Sequence, residues 1–348
     1  MIPFALLLGT HPSNHENYFD TVLSVAQASE AAGMDAVFYS DHFQYQRKPH
    51  IAADALRLGS AIRKYGPSSW IASHLEGWAI QVARMGDSGP HHTMTVLECF
   101  TTLAAIASQT QKIRLGALVA GVPYRNPALL AKINITLDII SHGRCIAGLG
   151  AGWYEEEFKA YGWPFPNAKE RMDRLEEAVQ IVSVMLSQPQ TSFEGKHYQI
   201  QGAVSNPLPV QRPRPPILVG GSGEQRTLQI VAKYADYCNI FGSPKTVARK
   251  LDVLQRHCEA VGRPYHTIVP SNFVSILIAQ SQAELNRKRK RYHPWLGYTI
   301  SGTPEKVIEI LQAFVQAGIR YVIFNLPDAH TLDPIYLLAE SVMPVFFK

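Results

Sequence analysis

The sequence predicts an α/β protein, a (β/α)8 TIM barrel with an insertion after strand 2, and three observations favour this fold class. Short apolar runs alternate with amphipathic, helix-like segments along the chain. Eight such runs occur, and a helix-like segment follows each of them. The 348 residues, 46% of them hydrophobic and 18% charged, suffice for one extensive core. We therefore expect a single domain over residues 1–348, with the insertion at about 45–96.

The predicted strands are continuously apolar, as is typical of parallel strands covered on both faces. They occupy residues 2–9, 36–41, 113–121, 144–152, 217–220, 237–241, 269–279 and 321–326. The predicted helices occupy 18–32, 97–109, 127–140, 155–161, 170–186, 224–234, 244–261, 304–317 and 332–342, and the polar stretch 188–215 is interpreted as a loop or small hairpin. A doubly wound sheet is disfavoured because the turn Leu8-Gly9-Thr10-His11-Pro12 lacks the Gly-x-Gly-x-x-Gly pattern.

The insertion interrupts this alternation after the second strand. Its segments 52–64 and 70–85 have the apolar spacing of helices, and Gly-Pro-containing stretches end both of them. Insertions between a barrel strand and the following helix reach the active-site face, so a substrate lid is one interpretation. An arm that holds a dimer together is the other, and the sequence leaves both open.

Charge and cysteine usage exclude several classes of function. The net charge of +5, from 33 Lys and Arg against 28 Asp and Glu, indicates an anionic ligand rather than nucleic acid. The basic run at 287–291 is interpreted as a solvated helix face, and no His or Cys spacing predicts a metal site. The four cysteines lack Cys-x-x-Cys spacing, and no signal peptide or membrane span is apparent, so we expect a cytoplasmic protein with no membrane partner.

The candidate site begins where the second strand ends in Asp41 and His42. Reactive groups of parallel barrels collect at the carboxyl ends of the strands, and an imidazole beside an acid can exchange protons near neutral pH. The alternative is a helix N-cap Asp beside an ordinary surface His.

Two glycine-rich strand ends are further candidates. Gly150 and Gly152, at the end of the fourth strand, would let a flat ligand lie against the backbone, or they would form a tightly packed barrel corner. The run of Gly220, Gly221, Ser222 and Gly223 precedes a helix, so its amides and the helix dipole could hold a phosphate; a plain turn is the alternative.

Taken together, these motifs resemble the bacterial luciferase-like superfamily and, within it, the branch that uses the deazaflavin coenzyme F420. The resemblance covers the chain outside about 45–96 and rests on an ordered series: SDHFQ at 40–44, IRLG at 113–116, PYRNPA at 123–128, GLGAGW at 148–153, RMDRLEE at 171–177, ILVGGSG at 217–223 and GTPE at 302–305. It implies a (β/α)8 barrel, usually a homodimer, with a deazaflavin or flavin in the barrel mouth and hydride transfer as the chemistry.

The resemblance also implies roles for individual residues. Asp41 matches an acid that contacts the coenzyme, and His42 matches the acid or base beside the reacting carbon. Leu118 and Val119 match a non-prolyl cis peptide in the third strand that forms a bulge behind the coenzyme ring. With Gly150, Gly152 and the run 220–223, these residues make up the predicted coenzyme site.

The substrate pocket departs from that of the sugar-phosphate dehydrogenases of this branch. Where those relatives carry a Glu directly after the third glycine, this chain has Trp153, and Gln44 is followed by Tyr45 and Gln46 instead of Pro and Trp. We therefore predict that Trp153 and Gln46 line a pocket for a different small-molecule substrate.

The predicted function is that of an F420-dependent oxidoreductase, which moves a hydride between the deazaflavin and an organic substrate. An FMN-dependent luciferase-like monooxygenase is the alternative, although monooxygenase relatives more often place a Glu or another residue before the His. A catalytically silent flavin-binding barrel, its mouth plugged by the insertion, is the second alternative.

Overall fold

The computed structural model describes residues 1–9, 17–46, 93–94, 96–292 and 298–347, and eight parallel strands in it close into a barrel. In chain order the strands are β1 Phe4–Leu8, β2 Ala36–Tyr39, β3 Tyr45–Gln46, β4 Thr93–Met94, β5 Arg114–Ala117, β6 Ala120–Gly121, β7 Cys145–Gly150, β8 Gln190–Glu194, β9 Gln199–Val204, β10 Ile217–Gly220, β11 Tyr237–Ile240, β12 Val269–Ile278, β13 Tyr298–Gly302 and β14 Tyr321–Asn325. The barrel follows the order β1, β2, β5, β7, β10, β11, β12 and β14, and it closes because β1 also pairs with β14. The eight predicted strands and the (β/α)8 fold are therefore confirmed.

Helices surround the barrel, and all of those in the described ranges except Gln282–Arg291 lie within a few residues of the positions that the sequence predicts. They are α1 Tyr18–Ala31, α2 Cys99–Ser108, α3 Pro127–Ile140, α4 Glu155–Ala160, α5 Ala168–Met185, α6 Thr227–Tyr234, α7 Pro244–Ala260, α8 Gln282–Arg291, α9 Pro304–Gln316 and α10 Asp333–Ser341. Local chemistry fixes several starts, since the side chains of Asn126, Asn167 and Ser243 each accept a hydrogen bond from a backbone N–H of the helix that follows.

Three elements refine the predicted order. The polar stretch 188–215 contains the antiparallel hairpin β8–β9, which confirms the hairpin alternative. The predicted element list omits β13, which pairs in parallel with β12, and α8. Both lack a clear apolar signal: β13 is short and half-buried, and α8 is polar apart from the buried Leu285. The basic run 287–291 does lie on this largely exposed helix.

The barrel has two apolar layers because successive strand residues point to opposite faces. The inner layer fills the barrel with side chains that include Ala5, Leu7, Phe38, Ile146, Leu218, Phe273 and Ile323. The outer layer, with Leu6, Val37 and Leu115 among its members, packs against the helices. The barrel is thus a packed core, and its open positions lie at the strand ends.

Polar side chains close the end of the barrel at which the strands begin. The Tyr321 hydroxyl donates to Asp35, and Arg114 donates to the Tyr237 hydroxyl at 3.1 Å. An ion pair of 3.5 Å joins Arg114 to Asp35. We interpret this cluster as stabilising the fold, because the active sites of such barrels lie at the opposite, carboxyl end.

The two ends of the insertion meet in a short antiparallel ribbon, in which Tyr45 of β3 pairs with Met94 of β4. The predicted helices at 52–64 and 70–85 lie outside the described residues, so the lid and the dimer arm both stay predictions. No helix in the described ranges is both long and apolar enough to cross a membrane. Within the same ranges, no group of His, Cys, Asp and Glu side chains could hold a metal ion.

We expect Gly148→Ala to lower the free energy of unfolding by more than about 3 kcal/mol, beyond the usual cost of overpacking. A Cβ at Gly148 would lie 2.0 Å from the carbonyl oxygen of Ala117, and backbone cannot move aside as a side-chain end can. Gly162→Ala is the matched control: φ is +71° there, but a Cβ would meet no atom within 4 Å, so about 1–2 kcal/mol is expected. Chemical denaturation measures both variants, and equal losses would contradict the packing role of Gly148.

Candidate active site

Asp41 and His42 follow β2 at the carboxyl end of the barrel, as the sequence predicts, with Ser40 between the strand and Asp41. The Asp41 side chain is buried, with 3% of the residue exposed. Its Oδ2 accepts hydrogen bonds from the Gly121 N–H at 3.0 Å and from Arg125 Nη1 at 2.7 Å. The N-cap alternative is therefore wrong for Asp41, because these donors come from the segment after β5 and not from the first turn of a helix.

Arg125 is the charged partner of Asp41, and the sequence analysis assigned it no role. Its Nη2 also bonds Glu98 Oε1 at 2.7 Å, and its guanidinium lies 5.3 Å from the ring centre of Phe43 and 5.1 Å from that of Phe100. Two acids and two aromatic faces thus hold one cation in place. Its place in the PYRNPA motif was the available signal, but sequence does not show which carboxylate an Arg will reach.

The second oxygen of Asp41 is available to a ligand. Oδ1 is buried and accepts no hydrogen bond from any residue in the described part of the chain. Burial raises the pKa of the Asp41 carboxyl, and the nearby Arg125 guanidinium offsets only part of this effect. Because buried polar atoms normally have partners, Oδ1 is suited to accept a hydrogen bond from the N–H or O–H of a molecule in the barrel mouth.

His42 is held by Glu157, a residue to which the sequence analysis assigned no role. Its Nδ1 lies 3.0 Å from Oε2 of Glu157, which is on α4 and has no exposed surface. Glu155, Glu156 and Glu157 are all acids of the first turn of α4. The helix turns Glu155 and Glu156 to the exterior and Glu157 inward, where it contacts His42. The three identical residues gave no sequence signal to separate them.

The Glu157 carboxylate accepts hydrogen bonds on both oxygens. Oε2 accepts from His42 and from the Tyr124 hydroxyl, while Oε1 accepts from the backbone N–H groups of Phe43 and Gln44. Burial alone would raise its pKa, but hydrogen bonds from His42 and Tyr124 hold the pKa of Glu157 below its usual range. Glu157 is therefore a carboxylate, and it orients the His42 ring.

Trp153 borders His42, as expected for a residue of the substrate pocket. Its ring centre lies 5.8 Å from that of His42 in an edge-on arrangement, and 53% of the residue is exposed. Tyr154 approaches His42 in the same way at 6.2 Å. The side chain of Gln46 lies outside the described part of the structure, where only its backbone pairing with Thr93 is seen. The pocket roles of Trp153 and Gln46 stay predictions.

The Leu118–Val119 peptide bond is cis, which confirms the prediction made from the resemblance. Both side chains are half-buried, and Val119 packs across two strand ends. A Cβ at Gly150 would lie 2.4 Å from Val119 Cγ2, and one at Gly220 would lie 2.7 Å from Val119 Cγ1. Contact with Val119 therefore explains the absence of a side chain at both glycines, as the packed-corner alternative expects for Gly150, and their role in binding a coenzyme stays a prediction.

The other predicted glycines are constrained by their backbone conformation or by backbone hydrogen bonds. Gly152 has a φ of +73°, and a Cβ there would lie 2.9 Å from Phe158, so the turn after β7 requires glycine. In the run 220–223, the Gly221 N–H donates to the Asn239 carbonyl, and the Gly223 carbonyl accepts from Leu228.

Fewer backbone N–H groups of the run 220–223 are therefore available to a phosphate than the sequence predicts. The helix that follows, α6, begins at Thr227 and not at residue 224, and the Gly221 N–H belongs to the contact with β11. The buried Ser222 and the neighbouring Gly223 keep their predicted role.

The structure joins most of the predicted residues into one site. Asp41 bonds Gly121, which pairs with Gly150, and Val119 connects Gly150 with Gly220. His42 and Trp153 lie beside this chain of contacts. Asp41 Oδ1, which accepts no hydrogen bond from the described residues, could bind a planar polar ring next to Trp153. The oriented imidazole of His42 could move a proton beside that ring.

Comparisons with known proteins identify the family of this chain. The family model of the luciferase-like monooxygenases matches residues 68–299. A pyrimidine monooxygenase from Acinetobacter baylyi is 30% identical over 203 residues, which cover 57% of this chain and 53% of that enzyme. An F420-dependent glucose-6-phosphate dehydrogenase from Kineococcus radiotolerans is 25% identical over 318 residues, which cover 80% of this chain and 88% of that enzyme. The chain thus spans about half the length of the Acinetobacter relative.

A solved structure extends the comparison to the fold. The coenzyme F420-dependent tetrahydromethanopterin reductase from Methanopyrus kandleri aligns over 99% of both chains, with a TM-score of 0.73 and 16% identity. This likeness concerns the fold and agrees with the (β/α)8 barrel. Since the family model matches well over half of the sequence, this chain belongs to the luciferase-like monooxygenase family.

Proposed function

We propose that this protein is an F420-dependent oxidoreductase that transfers a hydride between the deazaflavin and a small organic substrate. The observation that carries the proposal is the pairing of two neighbouring residues at the mouth. Asp41 offers a buried oxygen without a partner among the described residues, and His42 is oriented by a buried carboxylate. We also propose a homodimer, on the resemblance alone.

The described residues fit a deazaflavin. When bound, the coenzyme would supply a two-electron acceptor or donor for a hydride. Asp41 Oδ1 would accept a hydrogen bond from its ring system, and the half-buried side chains of Leu118 and Val119 would contact the ring. The N–H groups of Ser222 and Gly223 would face its anionic chain.

His42 would exchange the proton that accompanies the hydride. In oxidation of a substrate alcohol, the carbon loses a hydride, the C=O bond forms, and the hydroxyl proton passes to the imidazole. In reduction of a carbonyl, the imidazole returns that proton to the oxygen. Trp153 and Tyr154 would border the substrate and limit the access of water to it.

An FMN-dependent monooxygenase is the second candidate function, and the 30% identity to the pyrimidine monooxygenase favours it. Two observations favour F420: the dehydrogenase relative matches 80% of the chain, whereas the monooxygenase matches 57%, and the Asp-His pair resembles the deazaflavin branch. The two candidates differ in their need for oxygen, because deazaflavin lacks the ring nitrogen that makes oxygen activation easy.

We expect the protein to bind F420 more tightly than FMN and to turn over substrate without consuming oxygen. Absorbance titrations with both coenzymes measure the affinities. A screen of alcohols and carbonyl compounds under anaerobic conditions, with the coenzyme absorbance as readout, measures the turnover. Tighter binding of FMN, together with product formation strictly coupled to oxygen uptake, would establish the second candidate instead.

Asp41→Asn should weaken F420 binding about 10- to 100-fold, the effect of losing one hydrogen bond to a charged acceptor. Glu98→Gln is the matched control, because it removes the other carboxylate bonded to Arg125 and leaves Asp41 in place. We expect the control to bind F420 nearly as the unmodified protein does. Equal losses in the two variants would assign the effect to Arg125 and reject direct contact by Asp41.

His42→Ala should lower the turnover rate by about 10²- to 10⁴-fold, the usual contribution of a general acid or base, while F420 affinity is retained. His266→Ala serves as the control, since His266 is exposed and precedes β12 at the opposite end of the barrel. Steady-state kinetics and the titration above provide the two readouts. Unchanged turnover in His42→Ala would remove the proton-transfer role.

A further inference from the structure

We propose that Glu157 is a positioning residue that fixes the tautomer of His42, with the hydrogen on Nδ1 and the lone pair on Nε2. This inference deepens the proposed function and rests on it, because it names the ring atom through which His42 would exchange its proton. It is carried by four hydrogen bonds that converge on one buried carboxylate.

The backbone determines the first oxygen of Glu157. Oε1 faces the N–H groups of Phe43 and Gln44, and a backbone N–H can only donate. This end of the side chain must therefore be an acceptor, which excludes a protonated Oε1. Because both donors directly follow His42, the same carboxylate also fixes the course of the chain that leaves the site.

The second oxygen then determines the His42 ring. Oε2 receives the Tyr124 hydroxyl and lies 3.0 Å from His42 Nδ1. A carboxylate has no hydrogen to donate, so the Nδ1 atom must carry the hydrogen of this contact. In the neutral imidazole the other nitrogen, Nε2, then has the lone pair, which is what a proton acceptor requires.

The contacts of Tyr124 and Arg125 extend this arrangement to Asp41. Tyr124 donates to Glu157, and the next residue, Arg125, donates to Asp41. Arg125 therefore supports Asp41 directly, and its neighbour Tyr124 supports His42 through Glu157. This pairing places the acid proposed to bind the coenzyme and the imidazole proposed to move the proton in one continuous network.

The tautomer can be measured directly by ¹⁵N NMR on protein labelled at its histidine nitrogens, without coenzyme or substrate. The His42 signals are identified by their loss in His42→Gln, and spectra are recorded at increasing pH until the neutral ring is reached. We expect Nδ1 to be the protonated nitrogen. A hydrogen on Nε2 in the unmodified protein would overturn the proposal, whether or not any variant folds.

Glu157→Gln tests the cause. An amide keeps one acceptor oxygen for the backbone donors and presents an NH₂ group to Nδ1, so the ring should change to the tautomer with the hydrogen on Nε2. Glu155→Gln is the matched control, since Glu155 is exposed on the same helix and pairs with Lys159. Tyr124→Phe removes a donor from Oε2 without altering the carboxylate, so its His42 tautomer should be unchanged.

An unchanged tautomer in a folded Glu157→Gln variant would reject the positioning role. A changed tautomer in Tyr124→Phe would assign the effect to the network as a whole and would also reject it. With substrate, Glu157→Gln should lower kcat at least about 10-fold with little change in KM, and Glu155→Gln should alter neither. Because the NMR measurement needs no coenzyme, failure of the F420 assignment would leave the tautomer result intact, and the two failures can be told apart.

Discussion

The burial of two carboxylates at the barrel mouth is the constraint on which the rest of the site depends. An ionised group withdrawn from water requires charged partners or several hydrogen bonds. Asp41 receives the Arg125 guanidinium and a backbone N–H, and Glu157 receives four donors. These requirements bring the end of β2, the segment after β5 and the first turn of α4 together. The geometry at His42 is a consequence of satisfying them.

The two ends of the barrel differ in what their polar residues do. At the end where the strands begin, Arg114, Asp35 and two tyrosines bond one another and close the interior. At the mouth, by contrast, one oxygen of Asp41 has no partner among the residues that the structure describes. A buried carboxylate oxygen without a hydrogen bond reduces stability unless a ligand donates one. The presence of such an oxygen at this end of the barrel therefore indicates function.

Much of the fold could be predicted from the sequence, because parallel barrel strands are buried on both faces and are therefore apolar throughout. Asp41 and His42 were detectable for the same reason, since a polar pair directly after such a run is conspicuous. Glu157 was not detectable: its role depends on which of three adjacent acids the helix turns inward, and composition carries no such information. The glycines show a similar ambiguity, because the contact with Val119 by itself accounts for the absence of a side chain at Gly150, and the sequence does not distinguish such a contact from a ligand.

Asp41 and His42 are adjacent in the sequence, yet their side chains contact different parts of the structure. Asp41 turns to Gly121 and Arg125, and His42 turns to α4. The acid and the imidazole are therefore each held by partners of their own. Tyr124 donates to Glu157 and Arg125 donates to Asp41, so two adjacent residues of the segment after β5 support both contacts.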